Sequence, residues 1–329
     1  MVGLPGEFDL IARYFAPLAR NTPGALGLRD DAVTLTPPAG CELVLTVDAL
    51  TADVHFLRSD PPDLIARKML RVNLSDLAGK GAKPLGYLMT TAFDRSVDEA
   101  WVKAFAEGLA QDQEIFGLTL LGGDTTATPG PLALTATLIG TVPAGRALRR
   151  NGARPGDRIL VTGTIGDGFF GLAALRGEFG DLPAEQRRFL TGRYQLPEPR
   201  VAFGQAMGAR GLGHAGMDIS DGLAADLGHV CAASGCGAQV MLPRVPVSPA
   251  LAELLADDPE RLLSAVTGGD DYELLLAVAP DQLPEVLAAA AASNTQVTEI
   301  GVFTSGKDVI FTDSDGEPLA MPKAGFTHF

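Results

Sequence analysis

Carboxylates set beside glycines and apolar runs define the chemistry open to this chain. Asp30 and Asp31 follow Arg29, and Asp48 follows the apolar run 43–47. Asp124 follows Gly122-Gly123, Asp218 and Asp221 bracket Ile219-Ser220, and Asp270 and Asp271 follow Gly268-Gly269. Asp76 joins them by a different route. Ile65, Met69 and Val72 repeat at four- and three-residue intervals, one buried face of a helix, and Asp76 is the next position on it. A carboxylate aimed into a core is costly unless it is paired or bound to a metal. The plainer alternative is that Asp76 bonds neighbouring backbone, as Asp and Asn often do. Hard oxygen ligands without a histidine or cysteine cluster point to Mg²⁺ rather than zinc. The glycines let backbone approach a ligand closely. Any one Gly-Asp pair also reads as an ordinary turn; six such sites beside apolar strands are harder to dismiss as structural, and an acidic protein can still bind a polyphosphate if divalent metals sit between the two anions.

Other chemistries have weaker signals. The stretch Gly163-Thr-Ile-Gly166-Asp167-Gly168 has the look of a phosphate loop at a helix start but lacks the Lys-Ser/Thr of a P-loop. No Ser-His-Asp order is evident, and His214 and His229 read as packing or capping residues.

The elements that must position these acids alternate along the chain. Residues 7–19, with Phe8, Ile11, Ala12, Phe15 and Leu18, predict an amphipathic helix. A strand follows at 43–47 with Asp48 at its end, then a loop with Asp53 and His55, and a helix over 64–78 stopped by Gly79 and Gly81. A strand at 85–93, a helix over 98–116, a strand at 118–121 running into Gly122-Gly123-Asp124, and a strand at 132–142 complete the first half. The turn-rich stretch 143–157 carries Arg146, Arg149, Arg150 and Arg154 and marks a boundary, giving domains 1–145 and 146–329. The second half repeats the format, with strands at 158–162, 237–242, 274–278, 296–303 and 309–312, and apolar residues leading into Asp218. Helices start at Phe169, end at Ala233 and cover 281–292. The class is α/β (α+β) with two domains.

The 329 residues are 46% hydrophobic and 20% charged, a globular balance with room for two cores. A net charge of −14 argues against nucleic acid or an anionic membrane as partner, since both require a basic surface. The N-terminal residues lack the basic and apolar regions of a signal peptide, and the alanine-rich run 286–292 is too short to span a bilayer. Cys41, Cys231 and Cys236 form no CxxC pair, and the latter two read as small packing residues in a reducing cytoplasm.

In order along the chain stand Asp31-Ala-Val, Thr46-Val-Asp48, Val54-His55-Phe56, Val72-Asn73-Leu74-Ser75-Asp76-Leu77-Ala78, Gly122-Gly123-Asp124-Thr125-Thr126, Asp218-Ile-Ser220-Asp221-Gly222 and Gly268-Gly269-Asp270-Asp271-Tyr272-Glu273-Leu274. As an ordered set they closely resemble the bacterial thiamine-monophosphate kinase family, of the aminoimidazole ribonucleotide synthetase-like superfamily. The resemblance runs from Gly6-Glu7-Phe8 to Gly325-Phe326-Thr327-His328-Phe329. It implies an enzyme that transfers phosphate in line from ATP to thiamine monophosphate, giving thiamine diphosphate, with several Mg²⁺ ions. It also implies a cytoplasmic homodimer in which the N-terminal sheets of two subunits join as a barrel. The N-terminal domain would bind ATP and Mg²⁺, and a C-terminal mixed sheet with helices would complete the ATP and substrate sites.

Carried over motif by motif, Asp31, Thr46, Val47 (through its backbone), Asp48, Asp76, Asp124, Asp218 and Asp221 would hold metal. Gly123, Asp124, Arg150 and Ser220 would contact ATP, and His55, Asp270 and Phe326 the thiamine substrate. No general base is implied, because the acceptor is a phosphate monoester with a second pKa of about 6 and is largely dianionic at neutral pH. Three positions depart from the family: Arg29 replaces a usual Gly, Asp270 a usual Glu, and Phe326 a usual Trp or Tyr. A sister ATPase of the superfamily and a non-enzymatic metal-binding module remain as alternatives. Selenophosphate synthetase fits less well, since the first forty residues contain no cysteine.

Overall fold

The computed structural model describes residues 4–258 and 260–321. They divide into two compact units: residues up to Leu77 with Lys83–Gly145, and Ala78–Ala82 with Arg146 onward.

The first unit is built on four strands, β1 (Cys41–Thr51), β2 (Lys83–Phe93), β3 (Thr119–Ala127) and β4 (Ala133–Pro143), in the order β1-β4-β2-β3. β4 pairs antiparallel with β1 and β2, and β2 runs parallel to β3. β1 alternates as a strand with two different faces should. Leu43, Leu45 and Val47 point one way and are exposed, while Val44, Thr46, Asp48 and Leu50 point the other way and are covered to varying degrees.

Residues 7–19 do not form the single amphipathic helix their periodicity predicts. α1 (Glu7–Leu10) passes into a π-helical turn at Ile11–Phe15 and a 3₁₀ turn at Ala16–Ala19. Pro17 lacks the N–H needed to continue α-helical bonding. Phe15 is buried, but Phe8 is 82% exposed.

α2 (Pro62–Gly79) departs from its sequence reading more informatively. Its apolar positions Met69, Leu70, Leu74 and Leu77 are fully buried, and so are Asn73 and Ser75, with Lys68 and Arg71 nearly so. The helix is covered on all sides, and Asp76 is among its more open positions. Periodicity cannot reveal this, because buried polar groups depend on distant partners. The partner here comes from α3 (Glu99–Phe116), where fully buried Asp112 accepts from Arg67 at 2.9 Å and Arg71 at 2.7 Å. The ends of α3 follow local rules: Asp98 accepts the Trp101 N–H as N-cap, and Gly117 closes the helix in the left-handed region.

The second unit holds β5 (Arg158–Thr162), β6 (Ala215–Ile219), β7 (Gly237–Met241), β8 (Glu273–Val278), β9 (Val297–Thr304) and β10 (Val309–Thr312) in the order β10-β7-β9-β5-β8-β6. Only β7 and β10 are parallel. β8 is buried at every position, as its unbroken apolar run requires of a strand covered on both faces. Around the sheet lie α4 (Asp167–Leu175), α5 (Ala184–Gln195), α6 (Val201–Arg210), α7 (Leu223–Ser234), α8 (Pro249–Asp257), α9 (Arg261–Thr267) and α10 (Leu283–Ala292). Ile159, Val161, Met217, Leu227, Val240 and Phe303 anchor one continuous core, and Cys231 and Cys236 pack in it as free thiols.

α5, α6, α8 and α9 have no helical counterpart in the sequence reading. α5 is polar along most of its length, and its Arg193 turns inward to a buried partner. α6 is interrupted by glycines that serve packing: a Cβ on Gly204 would stand 2.3 Å from the Ala78 carbonyl oxygen.

Candidate active site

Strand pairing sorts the predicted residues of the first unit onto two faces. Thr46 and Asp48 share a face with Leu138 and Ala136, their partners on β4. The Thr46 hydroxyl donates to the Asp76 carboxylate, joining β1 to α2. Burial, and then the charge of Asp76, push the Asp48 carboxyl up to about 6. Thr46, Asp48 and Asp76 thus form an all-oxygen group in which two carboxylates repel each other. Asp48 lies inside its strand rather than at its end, because pairing with β4 continues to Thr51.

The opposite face carries Val47 and Asp124. Asp124 pairs with Thr90 of β2, so β3 also runs through the Gly-Gly-Asp motif instead of ending before it. This face opens onto a cavity of about 530 Å³ lined by Phe15, Ala25, Asp30, Asp31, Gly123 and Asp124, among others. Gly123 is the only residue type that fits its position, since a Cβ there would sit 1.8 Å from the Met89 carbonyl oxygen. Arg29 has φ −115°, open to any residue, and the left-handed backbone of this loop falls earlier, at Leu26, Gly27 and Leu28.

His55 lies in the loop after β1. Its Nδ1 accepts the Thr51 N–H at 3.1 Å, so a neutral ring carries its proton on Nε2. Neighbouring Asp53, with φ +66°, is tied by Arg58, which also reaches Asp94 at 2.6 Å.

In the second unit, nearly buried Asp218 is on β6, and Ser220 and Asp221 follow it. Asp226 of α7, which sequence reasoning passed over, accepts the N–H groups of Ser220 at 3.0 Å and Asp221 at 3.1 Å. Burial and the charge of Asp221 push Asp226 up to about 7, with the Asp221 and Ser220 N–H groups and then Arg150 pulling the other way. Ligand atoms of Asp221, Asp226 and His229 lie within 4.8 Å of one another. His229 is therefore no packing residue: it is exposed, on the side of α7 that carries Asp226. The five- and three-residue steps from Asp221 to Asp226 to His229 were the available signal. His214 does hold structure, with Nδ1 2.9 Å from Asp157.

Asp270 sits just before β8. Its N–H donates to the Ser220 carbonyl at 2.9 Å, and the Tyr272 N–H donates to the Ile219 carbonyl at 2.8 Å, so the two motifs lie side by side. Beneath them are Asp271, expected beside Asp270 to carry chemistry, and Glu273, which the sequence alone did not single out. Glu273, fully buried, accepts from Arg193 at 2.8 Å, from Arg200 at 2.6 and 2.7 Å, and from Thr162. Asp271 is 2% exposed; burial pushes its carboxyl well up, and N–H groups of Gly166 and Gly168 pull the other way. Those N–H groups belong to the loop at residues 163–168, so the protein's own carboxylate already occupies what looked like a phosphate loop. Phe326 lies outside the described residues.

Residues 29–142 match the AIR synthase related protein N-terminal domain, and residues 154–314 match the corresponding C-terminal domain. The class is thus a two-domain AIR synthase related protein. The chain is 47% identical over 308 residues to the thiamine-monophosphate kinase of Caulobacter vibrioides, covering 93% of this chain and 86% of that one. The crystal structure of thiamine-monophosphate kinase from Stenotrophomonas maltophilia superposes with a TM-score of 0.83 at 38% identity, over 95% of this chain and 98% of that one. AaThiL, solved in complex with AMPPCP and TMP, superposes at 0.78 with 26% identity, over 98% of this chain and 94% of that one. Within its class, the chain belongs to the thiamine-monophosphate kinase family.

Proposed function

We propose that this protein uses ATP to phosphorylate thiamine monophosphate, giving thiamine diphosphate by direct in-line transfer. The observation that carries the reading is the oxygen-only group Thr46–Asp48–Asp76, set in a chain that matches these kinases along nearly its whole length. Two carboxylates that repel each other, one of them largely covered, suit a hard divalent cation. Several Mg²⁺ ions would be held, in the first unit by Asp31, Thr46, the Val47 carbonyl, Asp48, Asp76 and Asp124, and in the second by Asp218 and Asp221. When bound, they offset the charge of the phosphates that must meet for transfer.

The chain's own residues do the positioning. In the first unit, Gly123 and Asp124 meet ATP at the 530 Å³ cavity, where the bare glycine backbone permits close approach. In the second, Arg150 and Ser220 bind phosphate oxygens. His55 offers an Nε2–H donor to the thiamine substrate, its tautomer set by the Thr51 N–H. Asp270 faces the cationic thiazolium, and Phe326 supplies an aromatic face, worth about 0.5–2 kcal/mol toward such a cation. No side chain need act as base, because the acceptor phosphate is already largely ionised.

The protein works as a cytoplasmic homodimer joined through the sheet of the first unit, where β1 is an edge strand bearing exposed Leu43, Leu45 and Val47. Among the described residues, no helix is long and apolar enough to cross a membrane. Incubating the purified protein with ATP, Mg²⁺ and either thiamine monophosphate or an aminoimidazole ribonucleotide precursor tests the reading. Equimolar ADP and thiamine diphosphate are expected from the first pair alone. Turnover only with the aminoimidazole precursor, or none with either, overturns it.

A further inference from the structure

The loop at residues 268–272 is held in a conformation its side chains do not favour. Asp270 has φ +72° and Tyr272 has φ +53°, left-handed values at two residues that carry a Cβ. Such backbone costs on the order of 1 kcal/mol or more per residue and persists only where the surroundings over-determine it. Two ties are the backbone bonds to Ser220 and Ile219. The third is Asp271: its carboxylate accepts the Gly166 N–H at 2.9 and 2.8 Å and the Gly168 N–H at 3.2 Å. This bolts the loop to the start of α4. The fit is close, since a Cβ on Gly168 would stand 2.1 Å from the Asp270 carbonyl oxygen and 3.0 Å from the Asp270 Cβ.

We infer that Asp271 is the positioning residue for Asp270, fixing where its carboxylate meets the thiamine substrate; this rests on the reading of Asp270 as a substrate contact. Asp271 itself is buried. The shorter Asp at 270 makes the placement more demanding, because it has one methylene less than Glu with which to correct an error in the backbone.

A double-mutant cycle in the full-length enzyme tests the inference. Asp271→Asn keeps one acceptor oxygen and puts an NH2 donor in place of the other, facing the Gly166 N–H, so KM for thiamine monophosphate should rise on the order of tenfold. KM for ATP should change less than twofold. Because Asp271 acts through Asp270, adding Asp271→Asn to Asp270→Ala should raise KM for thiamine monophosphate no further. Gly168→Ala leaves Asp271 in place and pushes directly on Asp270, so it should reproduce the selective loss and keeps the test readable should Asp271→Asn not fold. Additive effects in the double variant, a parallel loss of ATP affinity, or an unchanged KM in Gly168→Ala would overturn the inference and leave Asp271 a structural tie. An unchanged KM for thiamine monophosphate in Asp270→Ala would instead overturn the substrate role of Asp270, and the inference with it.

Discussion

At the scale of single residues, Asp48 carries a stability cost that its proposed role in holding Mg²⁺ would explain. Its ordinary value is 3.8, and in the fold it is pushed up to about 6, so ionising it there is unfavourable. The sign follows: above pH 6 the carboxylate is charged in both folded and unfolded chains, and the folded one bears the cost. Below the ordinary value it is neutral in both, and the cost vanishes. Asp48→Asn should therefore stabilise the metal-free protein near neutral pH, by on the order of 1 kcal/mol after solvent screening. Thermal melts at pH 7.5 and pH 3.5 should show the gain only at the higher pH. The same variant should lower turnover about 100-fold, as loss of a metal-site group does. A melting temperature that does not rise at pH 7.5 would contradict the cost that burial and the charge of Asp76 place on the Asp48 carboxylate. Arg150 is tested by kinetics: Arg150→Ala should raise KM for ATP more than KM for thiamine monophosphate, and equal shifts would mark it as a solvated surface cation.

At the scale of elements, Glu273 is the joint of the second unit. It opens β8, has no solvent exposure, and is matched by Arg193 on α5 and by Arg200 at the start of α6. Removing one partner of a buried pair leaves the others uncompensated, typically costing about 3–5 kcal/mol. Glu273→Ala should lose that much in urea unfolding, with Arg200→Ala losing a comparable amount. Together they should lose far less than the sum, because either change already breaks the cluster. A loss below about 1 kcal/mol for Glu273→Ala would mean that water replaces the carboxylate and the cluster contributes little. The buried Asp112 between Arg67 and Arg71 is the matching joint of the first unit, between α3 and α2.

At the scale of the whole molecule, β1 is the most conspicuous surface. It is an edge strand, with backbone groups open to pairing, and its outward side chains Leu43, Leu45 and Val47 are 42%, 61% and 59% exposed. A chain of net charge −14 has little reason to leave an apolar stripe in water. If the homodimer forms through this sheet, sedimentation velocity should show a dimer for the native protein and a monomer for Leu45→Glu, with unchanged circular dichroism. A native monomer at micromolar concentration would remove the proposed assembly.

The sequence by itself determined what depends on neighbours along the chain. Asp98 and Gly117 bound α3 by capping chemistry, the apolar run of β8 could be covered on both faces only inside a sheet, and the ordered acid motifs pointed to the kinase family. Local pattern failed where distant partners decide. The periodicity of α2 made Asp76 a core-facing acid, whereas in the fold the whole helix is enclosed and Asp76 meets Thr46 across from β1. α5 and α6 were invisible because their arginines and glycines answer to Glu273 and Ala78, far away in sequence. Only the tertiary structure showed that pairing puts Asp48 and Asp124 on opposite faces of one sheet, since face depends on register and on where β3 begins. Only it placed Asp226 under Ser220 and Asp221, and Asp271 under Asp270. A buried acid is chosen by the N–H groups that converge on it, and their convergence is a property of the folded backbone.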